Sequence, residues 1–352
     1  MSVELPQTCQ VARLSKPGGP FELEDVRLPE LRRGEALLKV EACTVCASDL
    51  RTFRGERAAP SSGLLGHEIV GRIVAGKGDQ FTIGERVVCG VAASCGSCRN
   101  CTRGIPQKCF SLKKFGHAAA HDDWQLSGGF GEYCHLPVGS ALAPAPDSCP
   151  PQQSAWLGCA GATAAAATRI AGELRDHNVV VLGTGAVGLF VVAMAAQAGA
   201  RVLAIDRRES RLKLAQATGA ISTHVVDDVS LLDFVMANTE SRGADVVFET
   251  SGANASVTAA TTIAGIGGRV ILAGSVAPTG PVPIQPEKIV TSLLRIEGIH
   301  NYTPADLTRA VEFAAHQANE SFPTFPLGEI DAAFDAAQSG ENLRVAVVPG
   351  NH

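Results

Sequence analysis

Residues 179–188 read VVVLGTGAVG and decide the fold of the second half of the chain. Four apolar residues typical of a buried strand are followed by a G-x-G-x-x-G loop, whose glycines are Gly183, Gly185 and Gly188. A strand, this loop and a helix form the dinucleotide-binding fingerprint, because the glycines permit a tight turn and close approach of a pyrophosphate. We expect Ala186 and Val187 to open the helix whose N-terminus faces the phosphates.

Apolar strands alternate with Ala-rich helical segments from about residue 160 onward. The strands are predicted at residues 179–182, 201–205, 245–248 and 269–273. Continuous apolar strands separated by helices are typical of a parallel sheet with both faces covered. The sequence therefore predicts an α/β domain, a Rossmann-type doubly wound parallel sheet, over residues 161–297.

Residues 1–160 have a different texture, with short strand-like runs broken by Gly and Pro. Residues 36–42, 69–74 and 86–91 are examples, and they predict a β-rich domain. A helix is predicted at residues 304–316, and an apolar segment closes the chain at residues 343–348. That segment has no βαβ partner, so we expect residues 298–352 to complete the first domain.

Composition and charge exclude several classes of protein. The 352 residues include 30 Lys and Arg and 35 Asp and Glu, which gives 30 − 35 = −5, without a long basic run. Nucleic acid is therefore not an expected partner, since phosphate binding needs clustered cations. The N-terminus lacks the pattern of a signal peptide, and no apolar run is long enough to span a membrane. We expect a cytoplasmic protein without a membrane partner.

Four of the eleven cysteines form a cluster with the spacing C-x2-C-x2-C-x7-C. They are Cys95, Cys98, Cys101 and Cys109. Four thiolates satisfy the tetrahedral preference of zinc and leave no position for water, which is typical of a structural site. One alternative is four reduced cysteines in a mobile loop. Another is an iron–sulfur cluster, but the ferredoxin motif has its fourth cysteine after three residues and before a proline, and this chain lacks that spacing.

A second set of metal-binding residue types is scattered along the chain. Cys46 lies in T-V-C-A-S-D, which also contains Ser48 and Asp49, and His67 lies in G-H-E before Glu68. Cys159 follows W-L-G at the predicted junction of the two domains. Each residue alone is a weak signal, because a single cysteine is more often a small buried apolar residue.

Together these motifs resemble the medium-chain zinc-dependent alcohol dehydrogenases over essentially the whole chain. The resemblance implies a GroES-like β-rich catalytic domain followed by the Rossmann domain. It also implies two Zn²⁺ ions per chain. Cys46, His67 and Cys159 would hold the catalytic ion, and Cys95, Cys98, Cys101 and Cys109 would hold the structural ion.

This ligand set suits oxidation of an alcohol by hydride transfer. Two thiolates and one imidazole leave a fourth position on zinc for a substrate oxygen, whose pKa the metal lowers. Asp49 would accept the second ring N–H of His67, and Ser48 would bond to the substrate oxygen. The resemblance places Glu68 behind the metal as a transient ligand. The family often has a His three residues after this Ser, but the chain has Arg51, which cannot act as a base.

The predicted cofactor is NAD. Asp206 ends the strand after the glycine loop, where a carboxylate accepts ribose hydroxyls and repels the 2′-phosphate of NADP. Arg207 and Arg208 leave NADP as an alternative, because adjacent guanidinium groups could receive that phosphate. The resemblance further implies contacts of Arg211 with the adenosine ribose and of Arg344 with the pyrophosphate; surface charges are the alternative for both.

The expected substrate is a small alcohol or its carbonyl product. Lys113, Lys114, His117 and Arg51 would favour an anion if they converged, although solvated loop charges are the commoner explanation. Residues 42–55, 106–117 and 126–137 resemble a branch of the family associated with phosphonate metabolism. A phosphonate-bearing alcohol is therefore a hypothesis.

Three other interpretations compete with this one. The first is a quinone or enoyl reductase of the same fold, which lacks the three zinc ligands. The second is a general or polyol dehydrogenase that uses NADP, and the third is a zinc-binding dinucleotide sensor without turnover. The resemblance also implies a homodimer or homotetramer.

Overall fold

The computed structural model describes residues 5–60, 62–117, 124–226, 231–277, 280–314 and 322–350. The chain divides into two compact units, Met1–Ala162 with Thr303–His352, and Thr163–Tyr302. None of the described helices combines the length and the apolar character needed to cross a membrane.

Within the described residues, the strands are numbered β1 to β16 and the α-helices α1 to α11 in chain order. The strands are β1 (Thr8–Leu14), β2 (Phe21–Arg27), β3 (Ala36–Thr44), β4 (Glu68–Gly76), β5 (Arg86–Ala93), β6 (Lys113–Lys114), β7 (Tyr133–Leu136), β8 (Ser140–Pro144), β9 (Asn178–Leu182), β10 (Arg201–Asp206), β11 (Ser222–Val225), β12 (Ala244–Glu249), β13 (Ala264–Leu272), β14 (Arg295–Gly298), β15 (Thr324–Pro326) and β16 (Ala346–Val348). The helices are α1 (Ala47–Phe53), α2 (Arg99–Thr102), α3 (Pro151–Ala155), α4 (Ala160–Ala171), α5 (Ala186–Gln197), α6 (Glu209–Ala217), α7 (Leu231–Asn238), α8 (Asn254–Ile263), α9 (Pro286–Thr291), α10 (Pro304–Ala314) and α11 (Ile330–Gln338). The last two residues of the helix predicted at 304–316 lie outside the described residues.

The first unit is built on an eight-stranded, mostly antiparallel sheet. Its central path runs β15-β16-β3-β4-β5-β6, with β7 on β3 and β8 on β5, and a separate β1-β2 pair lies beside it. The β-rich, GroES-like prediction is confirmed. The closing strand β16 pairs with β3, with Ala346 opposite Thr44.

One register in this sheet positions the candidate site. β3 and β4 run antiparallel, with Thr44 opposite Glu68. The end of β3 therefore lies next to the start of β4, since facing residues of an antiparallel pair are about 5 Å apart. Cys46, which follows β3, and His67, which precedes β4, are therefore close together.

The second unit is a six-stranded parallel sheet in the order β11-β10-β9-β12-β13-β14. All five residues of β9 are buried, which accounts for the four consecutive apolar residues at positions 179–182. The four predicted strands correspond to β9, β10, β12 and β13, and β11 and β14 extend the sheet at its two edges. The Rossmann-type prediction is confirmed.

Candidate active site

Asp49 organises the backbone around Cys46 and His67. Cys46 precedes α1 in an extended conformation, with φ −94° and ψ 158°. The backbone N–H of Cys46 donates to Asp49 Oδ2 at 2.9 Å, and the backbone N–H of Gly66 reaches Asp49 Oδ1 at 3.4 Å. His67 Nδ1 lies 3.2 Å from the same Oδ1. A single buried carboxylate thus contacts both the start of the helix and the imidazole of His67.

The predicted catalytic-zinc ligands converge in the structure. The ligand atoms of Cys46, His67, Glu68 and Cys159 all lie within 4.8 Å of one another. Cys159 reaches this group directly after a 3₁₀ turn at Trp156–Gly158. Two thiols and an imidazole at such short mutual distances are a donor set that zinc prefers, so the residues fit the ion that the sequence implies.

Electrostatics shift the pKa values of these ligands. A hydrogen bond with Cys159 and the nearby Arg344 charge hold the pKa of Cys46 well below its usual range, although burial opposes them. Burial lowers the pKa of His67, but the carboxylate of Asp49 outweighs it and raises that pKa to about 10. Cys46 therefore favours the thiolate that a metal needs, whereas His67 must lose a proton when a metal binds.

Glu68 is held by Arg344 in a buried ion pair. Arg344 Nε and Nη2 donate to the two carboxylate oxygens, each at 2.8 Å, and Thr44 Oγ1 donates to Oε2 at 2.5 Å. Arg344 Nη2 also lies 3.7 Å from Cys46 Sγ. The residue predicted to contact the pyrophosphate is thus found beside the thiolate and Glu68; its role toward the cofactor stays a prediction.

Ser48 lies between two imidazole rings. Its Oγ is 3.3 Å from His67 Nε2 and 3.5 Å from His117 Nε2, and the two ring centroids are 4.6 Å apart. Arg51, in contrast, is paired with Glu56, with Nε 3.3 Å from Oε2. The sequence identified His117 only as a basic loop residue, because a contact across 69 positions leaves no spacing signal.

The cysteine quartet forms a separate cluster. The four sulfur atoms all lie within 4.8 Å of one another, with Cys95 to Cys109 at 3.4 Å and Cys98 to Cys101 at 3.5 Å. Backbone N–H groups of Ser97 and Cys98 stabilise the Cys95 thiolate and lower its pKa to about 5. Four converging thiols with a stabilised thiolate fit a tetrahedral zinc ion.

The glycine loop in the second unit has the shape that its motif requires. Gly183 has φ +91°, and a Cβ there would approach Ser251 to 2.8 Å. A Cβ on Gly188 would lie 1.9 Å from the carbonyl oxygen of Gly183, whereas a Cβ on Gly185 would meet nothing within 4 Å. Two glycines thus serve packing, and Gly185 leaves open space before Ala186 and Val187 in the first turn of α5.

Asp206 closes this loop from the neighbouring strand. Its Oδ2 accepts hydrogen bonds from the backbone N–H and the hydroxyl of Thr184, at 2.7 and 3.0 Å. Its Oδ1 accepts the backbone N–H of Arg208 at 2.9 Å. A carboxylate has about four acceptor positions, so Asp206 retains capacity for a ribose hydroxyl. Arg207 is exposed, and Arg211 is half-buried on α6.

Fold and donor set together define a zinc-binding dehydrogenase with a nicotinamide-dinucleotide domain, and comparisons with known proteins agree. The alcohol dehydrogenase GroES-like domain matches residues 32–147, and the zinc-binding dehydrogenase family matches residues 186–316. L-threonine 3-dehydrogenase of Bacillus subtilis (strain 168) is 30% identical over 97% of this chain and 100% of its own length. The chain therefore belongs to the zinc-dependent medium-chain dehydrogenase family.

Two solved structures show the same fold over nearly the whole chain. An alcohol dehydrogenase from Thermotoga maritima has a TM-score of 0.90 and 26% identity, and covers 97% of this chain and 100% of its own. A protein described as a zinc-binding dehydrogenase from Sinorhizobium meliloti 1021, bound to NADP, has a TM-score of 0.87 and 27% identity, with 98% and 100% covered. The family resemblance predicted from the motifs is confirmed.

Proposed function

We propose that this protein oxidises an alcohol to its carbonyl product, or catalyses the reverse reaction, with two zinc ions per chain and NAD. The observation that carries the proposal is the convergence of Cys46, His67 and Cys159 next to Ser48. Three ligands leave one coordination position, which is typical of catalytic rather than structural zinc. The closed cysteine quartet would hold the second ion.

The metal would be held by Cys46, His67 and Cys159. When bound there, zinc supplies a Lewis acid that lowers the pKa of the substrate hydroxyl. Asp49 accepts a hydrogen bond from Nδ1–H of His67, which leaves the Nε2 lone pair for the metal. Arg344 holds Glu68 as its counter-ion, so we propose that Glu68 leaves this pair before it could act as a ligand.

Ser48 would bind the substrate hydroxyl and accept its proton as the carbonyl forms. Its Oγ lies 3.5 Å from His117 Nε2, and burial lowers the pKa of His117 to about 2, so the neutral imidazole would orient the Ser48 hydroxyl by a hydrogen bond rather than retain the proton. Arg51 is occupied by Glu56 and takes no part in this transfer.

NAD is the proposed dinucleotide. Gly183, Gly185 and Gly188 would admit the pyrophosphate at the start of α5, and Asp206 would accept a ribose hydroxyl. Its negative charge would repel a 2′-phosphate, which favours NAD even though one similar structure contains NADP. We assign the adenosine end to Asp206, Arg207 and Arg211.

The proposed substrate is an alcohol that carries an anionic group such as a phosphonate. The resemblance of residues 42–55, 106–117 and 126–137 to the phosphonate-associated branch supports it. The structure adds that Lys114 and His117 are close together, with the backbone N–H of His117 3.4 Å from the carbonyl oxygen of Lys114.

We also propose a homo-oligomer that forms through the second unit. The edge strand β14 is preceded by two exposed apolar residues, Val290 in α9 and Leu293 between α9 and β14, which are 71% and 70% exposed. A second copy that pairs along this edge would bury them, since edge strands and large apolar side chains are seldom left open. Light scattering of the purified protein tests this, and a monomer at micromolar concentration would contradict it.

One experiment tests the proposed reaction. Purified protein is assayed with neutral and phosphonate-bearing alcohols and with NAD and NADP, before and after chelation, and its zinc content is measured. We expect two zinc ions per chain, turnover with NAD and loss of turnover on chelation. No turnover with any alcohol or aldehyde would favour a sensor, one zinc per chain would remove the catalytic ion, and a preference for NADP would overturn the role of Asp206.

A further inference from the structure

Glu249 is a fully buried carboxylate that has no part in the reaction proposed so far. It ends β12, and its Oε1 accepts three hydrogen bonds. The donors are the backbone N–H and the hydroxyl of Ser251, at 2.8 and 2.6 Å, and the backbone N–H of Gly252, at 2.8 Å. Its Oε2 accepts the hydroxyl of Ser275 at 3.3 Å. These four uncharged donors compensate the burial of the carboxylate, and they belong to the loops that follow β12 and β13.

These two loops and the glycine loop pack against one another through backbone atoms. A Cβ on Gly252 would lie 2.6 Å from the carbonyl oxygen of Gly274, and a Cβ on Gly183 would lie 2.9 Å from the backbone nitrogen of Ser251. The Thr250 hydroxyl also donates to the carbonyl oxygen of Gly183, at 2.5 Å. The loops after β9, β12 and β13 therefore form one continuous surface. A shift of the middle loop would displace its neighbours, since packed backbone atoms cannot give way.

The order of the sheet relates these loops to the two halves of the proposed dinucleotide. β9 lies between β10 and β12, with β13 beyond β12. The pyrophosphate would lie at the glycine loop after β9, in the crevice at the carboxyl ends of the strands, and Asp206 at the end of β10 would take the adenosine ribose. The nicotinamide half would then extend to the other side, over the ends of β12 and β13, about 5 and 10 Å from β9. Glu249 is the buried acid at the end of the first strand that this half would cross.

We propose that Glu249 is a positioning residue for the nicotinamide half of the dinucleotide, an inference that rests on the proposed function. Its carboxylate fixes Ser251 and Gly252 in one loop and Ser275 in the next. Ser251 and Ser275 are exposed, whereas Glu249 is not, so the acid holds the surface of the crevice from within the protein. A surface that is fixed before the cofactor binds loses less conformational entropy on binding. Loss of the carboxylate is therefore expected to weaken binding of the nicotinamide half alone.

Asp245 provides a matched control at the opposite end of the same strand. Its Oδ2 accepts the backbone N–H of Asn178 at 2.8 Å, where β12 and β9 begin. Removal of either carboxylate takes away hydrogen bonds within the same sheet, but only Glu249 lies at the carboxyl end of β12. An effect that comes only from the stability of the second unit should therefore appear in Asp245→Ala as well.

Binding of NADH and of ADP-ribose, which lacks the nicotinamide, tests the inference without turnover. Both ligands are titrated calorimetrically into the zinc-loaded protein. In Glu249→Ala we expect the Kd for NADH to rise about tenfold or more and the Kd for ADP-ribose to stay within about twofold. Glu249→Gln keeps an acceptor oxygen for Ser251 and Gly252, so it should bind NADH nearly as the natural protein does. Asp245→Ala should change neither constant.

Three results would overturn the inference: an unchanged Kd for NADH in Glu249→Ala, an equal rise for NADH and ADP-ribose, or an equal rise for NADH in Asp245→Ala. If Glu249→Ala does not fold, Ser251→Ala decides, because it removes the 2.6 Å bond at an exposed side chain. We expect a smaller rise in the Kd for NADH there, and an unchanged Kd would overturn the inference.

Failure of the proposed function has a different signature. A selective loss of NADH affinity in Glu249→Ala, without turnover of any alcohol by the natural protein, would contradict the proposed reaction and support the positioning role. Alcohol turnover by the natural protein, with equal NADH affinity in Glu249→Ala, would overturn the positioning role alone.

Discussion

Arg344 and Glu68, 276 positions apart, form a bidentate ion pair in which both nitrogen–oxygen distances are 2.8 Å. Glu68 is fully buried and Arg344 is 9% exposed. Such a pair contributes little compared with an apolar pair of similar size, but the loss of one partner leaves a buried charge without compensation. The pair also holds the Glu68 carboxylate close to Cys46 and Cys159. Movement of this carboxylate toward the two sulfur atoms would require its hydrogen bonds with Arg344 to break.

Replacement of Arg344 by alanine is therefore expected to lower the free energy of unfolding by about 3–5 kcal/mol. Urea denaturation measures this, with Arg51→Ala as the control, because its exposed pair with Glu56 contributes about 1 kcal/mol or less. Equal effects of the two substitutions would show that Glu68 does not depend on Arg344.

Replacement of Ser48 by alanine removes the hydroxyl that lies between His67 and His117. We expect kcat/KM for the alcohol to fall by about a hundredfold or more, since a positioned proton-transfer group contributes about that much. Zinc content should stay constant, because Ser48 is not a ligand. Ser48→Thr keeps the hydroxyl and serves as the control, and an equal loss in both variants would contradict a role in proton transfer.

The stability of the zinc-free protein should depend on pH through His67. Asp49 raises the folded-state pKa of His67 from 6.5 to about 10, so the resulting stability is complete below pH 6.5 and is lost as pH rises through the folded-state pKa. We expect the free energy of unfolding, measured with chelator present, to fall between about pH 6.5 and 10.

Asp49→Asn is the matched variant for this experiment. It removes the negative charge that raises the pKa of His67 but retains the shape of the side chain. A decline with pH as steep in Asp49→Asn as in the natural protein would show that His67 is not its source.

The glycine loop offers two substitutions with opposite consequences. Gly188→Ala places a Cβ 1.9 Å from a backbone carbonyl, so we expect a loss of about 1–3 kcal/mol in stability. Gly185→Ala has room in the protein and should fold normally, yet its methyl group occupies space that the pyrophosphate needs, and the Kd for NAD should rise about tenfold or more. Thermal denaturation measures the first effect, and NAD titration measures the second. A loss of stability in Gly185→Ala, with unchanged affinity for NAD, would contradict the proposed function of the loop.

Residues with a local signal could be predicted from the sequence. The quartet that begins at Cys95, the glycine loop at Gly183 and the Asp206 position follow from spacing, because turn and ligand geometry act over a few neighbouring residues. The parallel strands could be predicted because burial on both faces favours consecutive apolar residues, such as residues 179–182 of β9.

Contacts across the chain could not be predicted in the same way. Arg344 reaches Glu68 and His117 reaches Ser48 only because strands such as β16 and β6 return to the central sheet. Arg51, which the family resemblance singled out, pairs with Glu56. Pairing of distant charges depends on tertiary packing, which leaves no periodic trace in the sequence.

The pairing of β16 with β3 has a consequence for biosynthesis. Glu68 leaves the ribosome 276 residues before Arg344, so the nascent chain carries this carboxylate without its counter-ion during most of translation. Burial of Glu68 is then unfavourable until β16 is added beside β3, because an unpaired buried charge is costly. The first unit can therefore complete its folding only after the Rossmann domain has been translated.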